Sequence, residues 1–294
     1  MRKVAAVVVT YNRKELLLEN IDCLLAQKPN VPDILIVDNH STDGTAEVLA
    51  PYLERGQIRY YDTGANLGGA GGFQYGIREA VRNGYDDLWI MDDDCMPHAD
   101  ALRALVGAAE RLKGNYGFLS SKTLWKDGSL CKMNVQRYSL TQNIRDFSAE
   151  LIPAILASFV SLFFKAETVR EVGLPIKEFF IWVDDWEYTR RISMKYPCFV
   201  VTDSVVTHKS ALNTGPNIAT ERSQRMDRYQ YMYRNDVYLY RREGVYGFCY
   251  GAARLAWHIV RIMCMAEGHK MERIGIVIRG TWRGLFFHPN IEFV

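Results

Sequence analysis

The sequence predicts an α/β protein: an open, mostly parallel twisted sheet flanked by helices, followed by a helical C-terminal extension. Three observations carry this. Hydrophobic runs of strand length alternate with helical stretches through the first hundred residues, three of those runs end in polar sequence, and after Asn213 the composition turns to Arg- and Tyr-rich helix. Alternation at this spacing calls for right-handed crossovers between parallel strands. Ligands of such sheets sit beyond the carboxyl ends of the strands.

The elements follow in order. VAAVVV (Val4–Val9) is a continuous apolar run, as expected of a strand buried on both faces. It imitates a signal peptide, but it is too short and runs straight into polar residues. Leu16, Leu17, Ile21, Leu24 and Leu25 then recur at helical spacing and stop before Pro29. DILIVD (Asp33–Asp38) is the second strand, followed by a turn and a helix over Thr45–Leu53. IRYYDT (Ile58–Thr63) is the third strand and Gly72–Asn83 the next helix. LWIM (Leu88–Met91) is the fourth strand and enters three aspartates directly. The polar ends Thr10-Tyr11-Asn12, Asp38-Asn39 and Asp92-Asp93-Asp94 are therefore expected to converge on one crevice. Residues 113–180 are less regular, with a strand-like FVSLFF (Phe159–Phe164). No internal repeat or low-complexity linker divides the chain. The expected boundaries are an α/β domain over 1–215 and a helical region over 216–294.

Composition bounds the partners. With 294 residues, 48% hydrophobic and 24% charged, the chain builds a sizeable core and is not a disordered polymer. The net charge of +2 hides an asymmetry: from Glu221 onward there are twelve Lys/Arg against seven Asp/Glu. A basic tail on an acidic body suits anions such as lipid headgroups or a phosphorylated substrate. Six scattered cysteines without a CxxC pair suit reduced thiols in a cytosolic enzyme, not disulfides or a zinc site.

Five features can carry chemistry. Asp92-Asp93-Asp94 places three carboxylates at a strand end; in extended backbone Asp92 and Asp94 share a side. They suit either a hard divalent ion holding a diphosphate or a solvated acidic turn. Asp38 either accepts hydrogen bonds from a nucleobase or ribose or makes an Asx-turn, the structural role expected of Asp43. ANLGGAGGFQYG (Ala65–Gly76) either brings backbone N–H groups to a phosphate or lets a helix pack close to the sheet. In IWVDDWEY (Ile181–Tyr188), Trp182 and Trp186 can stack on sugar faces. Asp184 and Asp185 between them would have pKa values raised toward that of a useful base. His208, in VVTHKS, is by itself either a ligand or an ordinary structural histidine.

In order along the chain, VTYNR (Val9–Arg13), VDNHSTDGT (Val37–Thr45), NLGGAGGFQYGI (Asn66–Ile77), MDDDCMP (Met91–Pro97), WVDDWEY (Trp182–Tyr188) and the histidine of VVTHKS resemble the motifs of inverting family 2 glycosyltransferases of the GT-A, nucleotide-diphospho-sugar transferase, fold. The NLGGAGGF and WVDD forms, with NTGPN and RYQYMYRN, resemble the galactofuranosyltransferase and rhamnosyltransferase branch. The resemblance implies residue roles. Thr10, Asn12, Arg13, Asp38, Asn66, Gly68 and Asp93 would bind the donor. Asp92, Asp94 and His208 would ligate Mn2+ or Mg2+. Asp185 would be the catalytic base with Asp184 orienting the acceptor, and Trp182, Trp186 and Glu187 would line the acceptor site.

The expected function is transfer of galactofuranose from UDP-galactofuranose to a hydroxyl of a growing, lipid-linked glycan. Transfer of rhamnose from dTDP-rhamnose is the alternative, and nucleotidyl transfer a more distant one. VTYNRKE lacks the glycines a nucleotidyltransferase usually carries there. A nucleic-acid or membrane adaptor would leave the acidic motifs without a use, so no nucleic-acid partner is expected. In the tail, FCYGAARLAWHIVRIMCM (Phe248–Met265) places Arg254, His258 and Arg261 on one stripe, which argues against a spanning helix. It fits either an interfacial helix whose arginines meet lipid phosphates or an oligomer or domain contact. The expected location is cytoplasmic, peripheral at the inner face of the membrane. Tyr229, Tyr233 and Tyr240 share one helical face and suit either use.

Overall fold

A computed structural model of the chain describes residues 2–222 and 226–294. Its first half follows the expected rhythm: β1 (Val4–Thr10), α1 (Lys14–Leu25), β2 (Asp33–Asp38), α2 (Thr45–Glu54), β3 (Ile58–Asp62), α3 (Gly68–Arg82) and β4 (Asp87–Asp92). Then come β5 (Cys95–Pro97), α4 (Ala101–Arg111), β6 (Phe118–Trp125), β7 (Leu151–Pro153), β8 (Leu162–Lys165), α5 (Ala166–Val172), α6 (Asp184–Ser193) and β9 (Phe199–His208). Helices α7 (Tyr229–Arg241), α8 (Gly244–Met265) and α9 (Lys270–Leu285) complete the chain.

The strands form one nine-stranded sheet in the order β3-β2-β1-β4-β8-β6-β9-β5, with β7 also on β9. Its first four neighbours are parallel, as the alternation predicts. β8 then joins antiparallel to β4, and β5 and β7 antiparallel to β9, so the sheet as a whole is mixed. The parallel half is apolar on both faces. Val7, Leu35 and Ile90 pack under α3, whereas Val8, Ile36 and Met91 pack under α1 and α4. Each such side chain contributes about 1.5–3 kcal/mol on burial.

Register fixes the crevice. Thr10 lies opposite Asp38 and Val9 opposite Asp92, so the polar strand ends come level. Cys95 pairs with His208 across β5 and β9, which carries a residue from the end of the sheet to the triple aspartate.

One expectation is corrected and one open choice is decided. Helix α3 begins at Gly68 and not Gly72, so most of the glycine-rich stretch is helix. Within it, a Cβ at Gly72 would meet Val9 Cγ1 at 2.6 Å and one at Gly76 would meet Val7 Cγ1 at 2.5 Å; the glycines let α3 lie close on the sheet. In α8 the polar stripe points inward. Arg254 pairs with Asp236 at 3.2 Å, and the Tyr233 hydroxyl donates to His258 Nδ1 at 2.7 Å. The arginine stripe therefore faces α7, not lipid, and it is the apolar side (Val245, Phe248, Trp257, Val260, Met263) that is exposed. Tyr229, Tyr233 and Tyr240 are buried in the core of this helical region. Among the described residues no helix is long and apolar enough to cross a membrane.

Candidate active site

Beyond the carboxyl ends of β1, β2 and β4, Asp92, Asp94 and His208 each offer a ligand atom, all within 4.8 Å of one another. Asp93 and Asp94 lie in a turn and not in extended backbone, so Asp92 and Asp94 meet through that turn and not through strand alternation. Asp93 faces away: its Oδ2 accepts from Thr10 Oγ1 at 2.8 Å and its Oδ1 from Arg13 at 3.2 Å. Arg13 also donates to Asp94 Oδ2 at 2.8 Å, supplying one cation to the acidic triplet.

The electrostatics fit a further cation. Burial, with the neighbouring Asp94 charge, pushes Asp92 well above the usual carboxylate range. Burial would raise Asp94 too, but the hydrogen bond from His208 and the charges of His208 and Arg13 hold it low. His208 Nε2 sits 3.0 Å from Asp94 Oδ1, and Nδ1 sits 2.8 Å from Asn134 Oδ1. Burial disfavours the imidazolium, yet Asp94, Cys131 and Asp92 outweigh it and bring His208 up to about 10. Ligation at Nε2 would exchange that proton for the metal, while Asn134 keeps Nδ1–H engaged and the ring aimed. Two carboxylates and an imidazole so oriented fit a divalent ion that prefers mixed oxygen and nitrogen donors.

The second acidic pair opens α6. Asp184 is buried at its first position, and Asp185 is half-buried at the second, with Oδ1 accepting from the Trp186 N–H at 2.7 Å. Burial raises both carboxylates; Asp185 raises Asp184 further, and Asp92 acts on Asp185 as a like charge. Asp92 is near enough for its charge to act on Asp185, and Asp185 is the less buried member of the pair.

The approach to α6 is strained. Phe180, Trp182 and Val183 have φ of 64°, 64° and 69°, a left-handed conformation that is costly for aromatic and β-branched residues. Asn235 of α7 holds it: Nδ2 donates to Phe179 O at 3.0 Å and Trp182 O at 2.9 Å. From the other side Gly68, at φ +70°, admits the Phe180 carbonyl, which a Cβ there would meet at 2.1 Å.

Several expected contacts prove to be internal. Asp38 makes the Asx-turn: Oδ1 accepts from Ser41 N and Oγ at 2.9 and 2.6 Å, and Oδ2 from the Tyr60 hydroxyl at 2.8 Å. With 1% exposure it has no oxygen turned to a ligand. Asn66 Oδ1 accepts from Gly68 N at 2.9 Å in the turn that enters α3, and Gly68 serves the close approach of Phe180. Asn12 accepts from Thr42 N at 2.7 Å and its N–H donates to Ser41 Oγ at 2.8 Å, tying two loops at the crevice rim. Glu187 is withdrawn from the acceptor side because it forms a buried bidentate pair with Arg191, at 3.0 and 2.7 Å. Trp182 packs on Tyr229, and Trp186 has the Arg137 guanidinium 4.0 Å over its ring.

Three residues of the site escaped sequence reasoning. Asn134 and Arg137 lie in the irregular middle, which carries no periodic signal. Asn235 lies inside RYQYMYRN, whose Arg-Tyr-rich composition marked the segment without marking the amide. A larger depression of about 1150 Å3 lies at the opposite edge, around Arg2, Lys28 and Lys113, away from the strand ends where such sheets bind ligands.

An Asp-Asp-His cluster at the carboxyl ends of a parallel sheet, with a pair of raised carboxylates opening α6, lies where α/β sheets of this kind bind their ligands. Solved structures show the same GT-A architecture. A structure of GalNAc-T7 with UDP, GalNAc and Mn2+ aligns with a TM-score of 0.68 at 14% identity, over 95% of this chain and 54% of that one. S. aureus TarS 1–349 with UDP-GlcNAc aligns at 0.55 and 14% identity, over 97% and 73%. Residues 5–123 match the family Glycosyl transferase family 2. The galactofuranosyltransferase GlfT1 of Mycolicibacterium smegmatis is 30% identical over 209 residues, 64% of this chain and 65% of that protein. GlfT1 of Mycobacterium tuberculosis is 32% identical over 199 residues, 64% of each chain. The chain thus spans just under two thirds of these relatives' length.

Proposed function

We propose that the protein is an inverting, metal-dependent glycosyltransferase that moves galactofuranose from UDP-galactofuranose to a hydroxyl of a growing, lipid-linked glycan. The observation that supports this is the cluster of Asp92, Asp94 and His208 at the strand ends, with the raised carboxyl of Asp185 near enough to feel the Asp92 charge. Likeness to the two galactofuranosyltransferases supports the donor sugar, and neighbours bound to UDP and UDP-GlcNAc support a uridine nucleotide. Residues 1–215 would form the catalytic part and 216–294 the helical part that braces it.

Asp92, Asp94 and His208 would hold Mn2+ or Mg2+, which when bound supplies charge neutralisation at the departing diphosphate. Asp185 accepts the proton of the acceptor hydroxyl as that oxygen attacks the anomeric carbon from the far face. The bond from that carbon to the diphosphate breaks, UDP leaves with the electron pair, and the configuration inverts. General-base assistance of this kind is worth about 10²–10⁴ in rate. Thr10 and Arg13 hold Asp93 and Asp94 in register for the donor, and Asn12 shapes the rim. Trp182 and Trp186 frame the acceptor side, with Asp184 beneath Asp185.

The apolar outer side of α8 and the basic residues Arg279 and Arg283 on α9 support a peripheral position on an anionic lipid surface at the cytoplasmic face. UDP release from a panel of UDP-sugars, with and without Mn2+, tests the reading. Metal-dependent release with UDP-galactofuranose and a glycan acceptor is expected; release from no donor would contradict it.

A further inference from the structure

Arg137 is a cation beside the candidate base that no carboxylate among the described residues pairs with. It belongs to the irregular middle of the chain, but its backbone is pinned. Its N–H donates to Leu156 O at 2.9 Å, and its carbonyl accepts from Ile155 N at 2.7 Å. The guanidinium lies over Trp186, 4.0 Å from the ring centroid, and Nη1 donates to Leu140 O at 3.0 Å. The nearby cation Arg254 differs, because Asp236 Oδ2 accepts from it at 3.2 Å.

Burying a cation without a partner is costly. Burial outweighs the charges around Arg137 and holds its pKa below the usual arginine range. An aromatic platform takes one face of a guanidinium and leaves its edge open. Nε and Nη2 have no hydrogen-bond partner among the described residues, and neither is sealed from solvent. This edge adjoins the proposed chemistry. Trp186, under the guanidinium, donates its backbone N–H to Asp185 Oδ1 at 2.7 Å, and Arg137 is near enough for its charge to act on Asp185. Arg254 and Asp236 cancel, so the positive charge left to match is a single one. A second negative charge on the ligand, so near Asp185, would be opposed.

We propose that Arg137 sets acceptor specificity by pairing with a carboxylate, so that the acceptor glycan carries a uronic acid at or next to the sugar that receives the transfer. The Nε and Nη2 edge donates two parallel hydrogen bonds to such a carboxylate, whereas a neutral sugar leaves the cation unmatched. Resting on the sugar-transfer reading, this names the acceptor class as an acidic glycan. Arg137 takes no part in the proton transfer; it holds the acceptor while Asp185 receives the proton.

Binding to the purified full chain with Mn2+ and UDP tests this, read by titration calorimetry and tryptophan fluorescence. Methyl glucuronoside and methyl galacturonoside are set against methyl glucoside, methyl galactoside and methyl phosphate. The uronosides should bind about tenfold or more tighter than their neutral counterparts and than methyl phosphate. Arg137→Gln should remove that preference while neutral glycosides and UDP stay within about twofold, and Arg137→Lys, which keeps the charge without the fork, should retain part of it. Equal or absent binding of uronosides and neutral glycosides to wild type, an undiminished preference in Arg137→Gln, or methyl phosphate matching the uronosides would overturn the proposal. So would loss of every glycoside and of UDP in both variants, the mark of a merely structural role. The two readings fail separately. UDP binding without a uronoside preference refutes the acidic acceptor alone; an Arg137-dependent uronoside preference without UDP binding leaves the carboxylate site standing and refutes sugar transfer.

Discussion

Asn235 holds Trp182 in a left-handed backbone conformation: its side-chain amide donates to the Trp182 carbonyl at 2.9 Å, two residues before the first aspartate of α6. The same amide reaches Phe179 O at 3.0 Å, so one buried side chain of the helical region sets the entry of Asp184 and Asp185 into the crevice. Asn235→Ala should therefore lower kcat by about 10²-fold, since misplacing a reacting group by roughly 1 Å has that effect. UDP affinity should stay within about twofold, because the Asn235 amide holds only backbone carbonyls before α6 and none of the residues proposed to hold the donor. A loss confined to UDP affinity, measured by titration, would contradict this positioning role.

Gly68→Ala should be severe. The added methyl meets Phe180 O at 2.1 Å in a position with φ of +70°. Overpacking and the left-handed conformation together are expected to cost about 3 kcal/mol or more. Thermal unfolding should show a Tm several degrees lower, whereas Gly69→Ala, with open space around its Cβ, should unfold near the wild-type temperature.

Asn134→Ala should weaken Mn2+ binding by about 10–100-fold, the usual effect of removing the group that orients a histidine ligand. Asn134 accepts from His208 Nδ1 at 2.8 Å and touches none of the carboxylates. Mn2+ titration by calorimetry measures it, and an unchanged affinity would remove His208 from the ligand set.

The pH profile follows from the direction of the Asp185 shift. Burial raises its pKa, and a base must be deprotonated, so kcat should fall as pH drops through a range above that of ordinary carboxylates. Stability runs the other way for the same group: a carboxyl raised on folding stabilises at low pH, and that contribution is lost as pH rises through the raised value. An acid limb at the usual carboxylate pKa would place the base elsewhere.

Much of this was legible in the sequence. The parallel half of the sheet, the three converging polar ends and the Asp92, Asp94 and His208 cluster follow from strand-length apolar runs and from ordered motifs. Of the mixed half, FVSLFF marks β8 as a strand, but its antiparallel pairing was not legible because its partners lie far along the chain, and β7 is only three residues long. Asp38, Gly68 and Glu187 were assigned outward-facing roles, but tertiary contacts turned each inward: Ser41 and Tyr60, the Phe180 carbonyl, and Arg191. The α8 stripe left two readings open, and the contacts with α7 decide for an internal helix–helix contact. Periodicity finds a polar face, but only the packed Asp236 and Tyr233 determine that it points inward.

Metal-dependent sugar transfer with Asp185 as base, as proposed, is tested by the rate of galactofuranose transfer from UDP-galactofuranose by wild type and Asp185→Asn with Mn2+, alongside UDP affinity of both. The expected result is a loss of about 10²–10⁴ in kcat with UDP binding retained. Transfer by Asp185→Asn at the wild-type rate would contradict it.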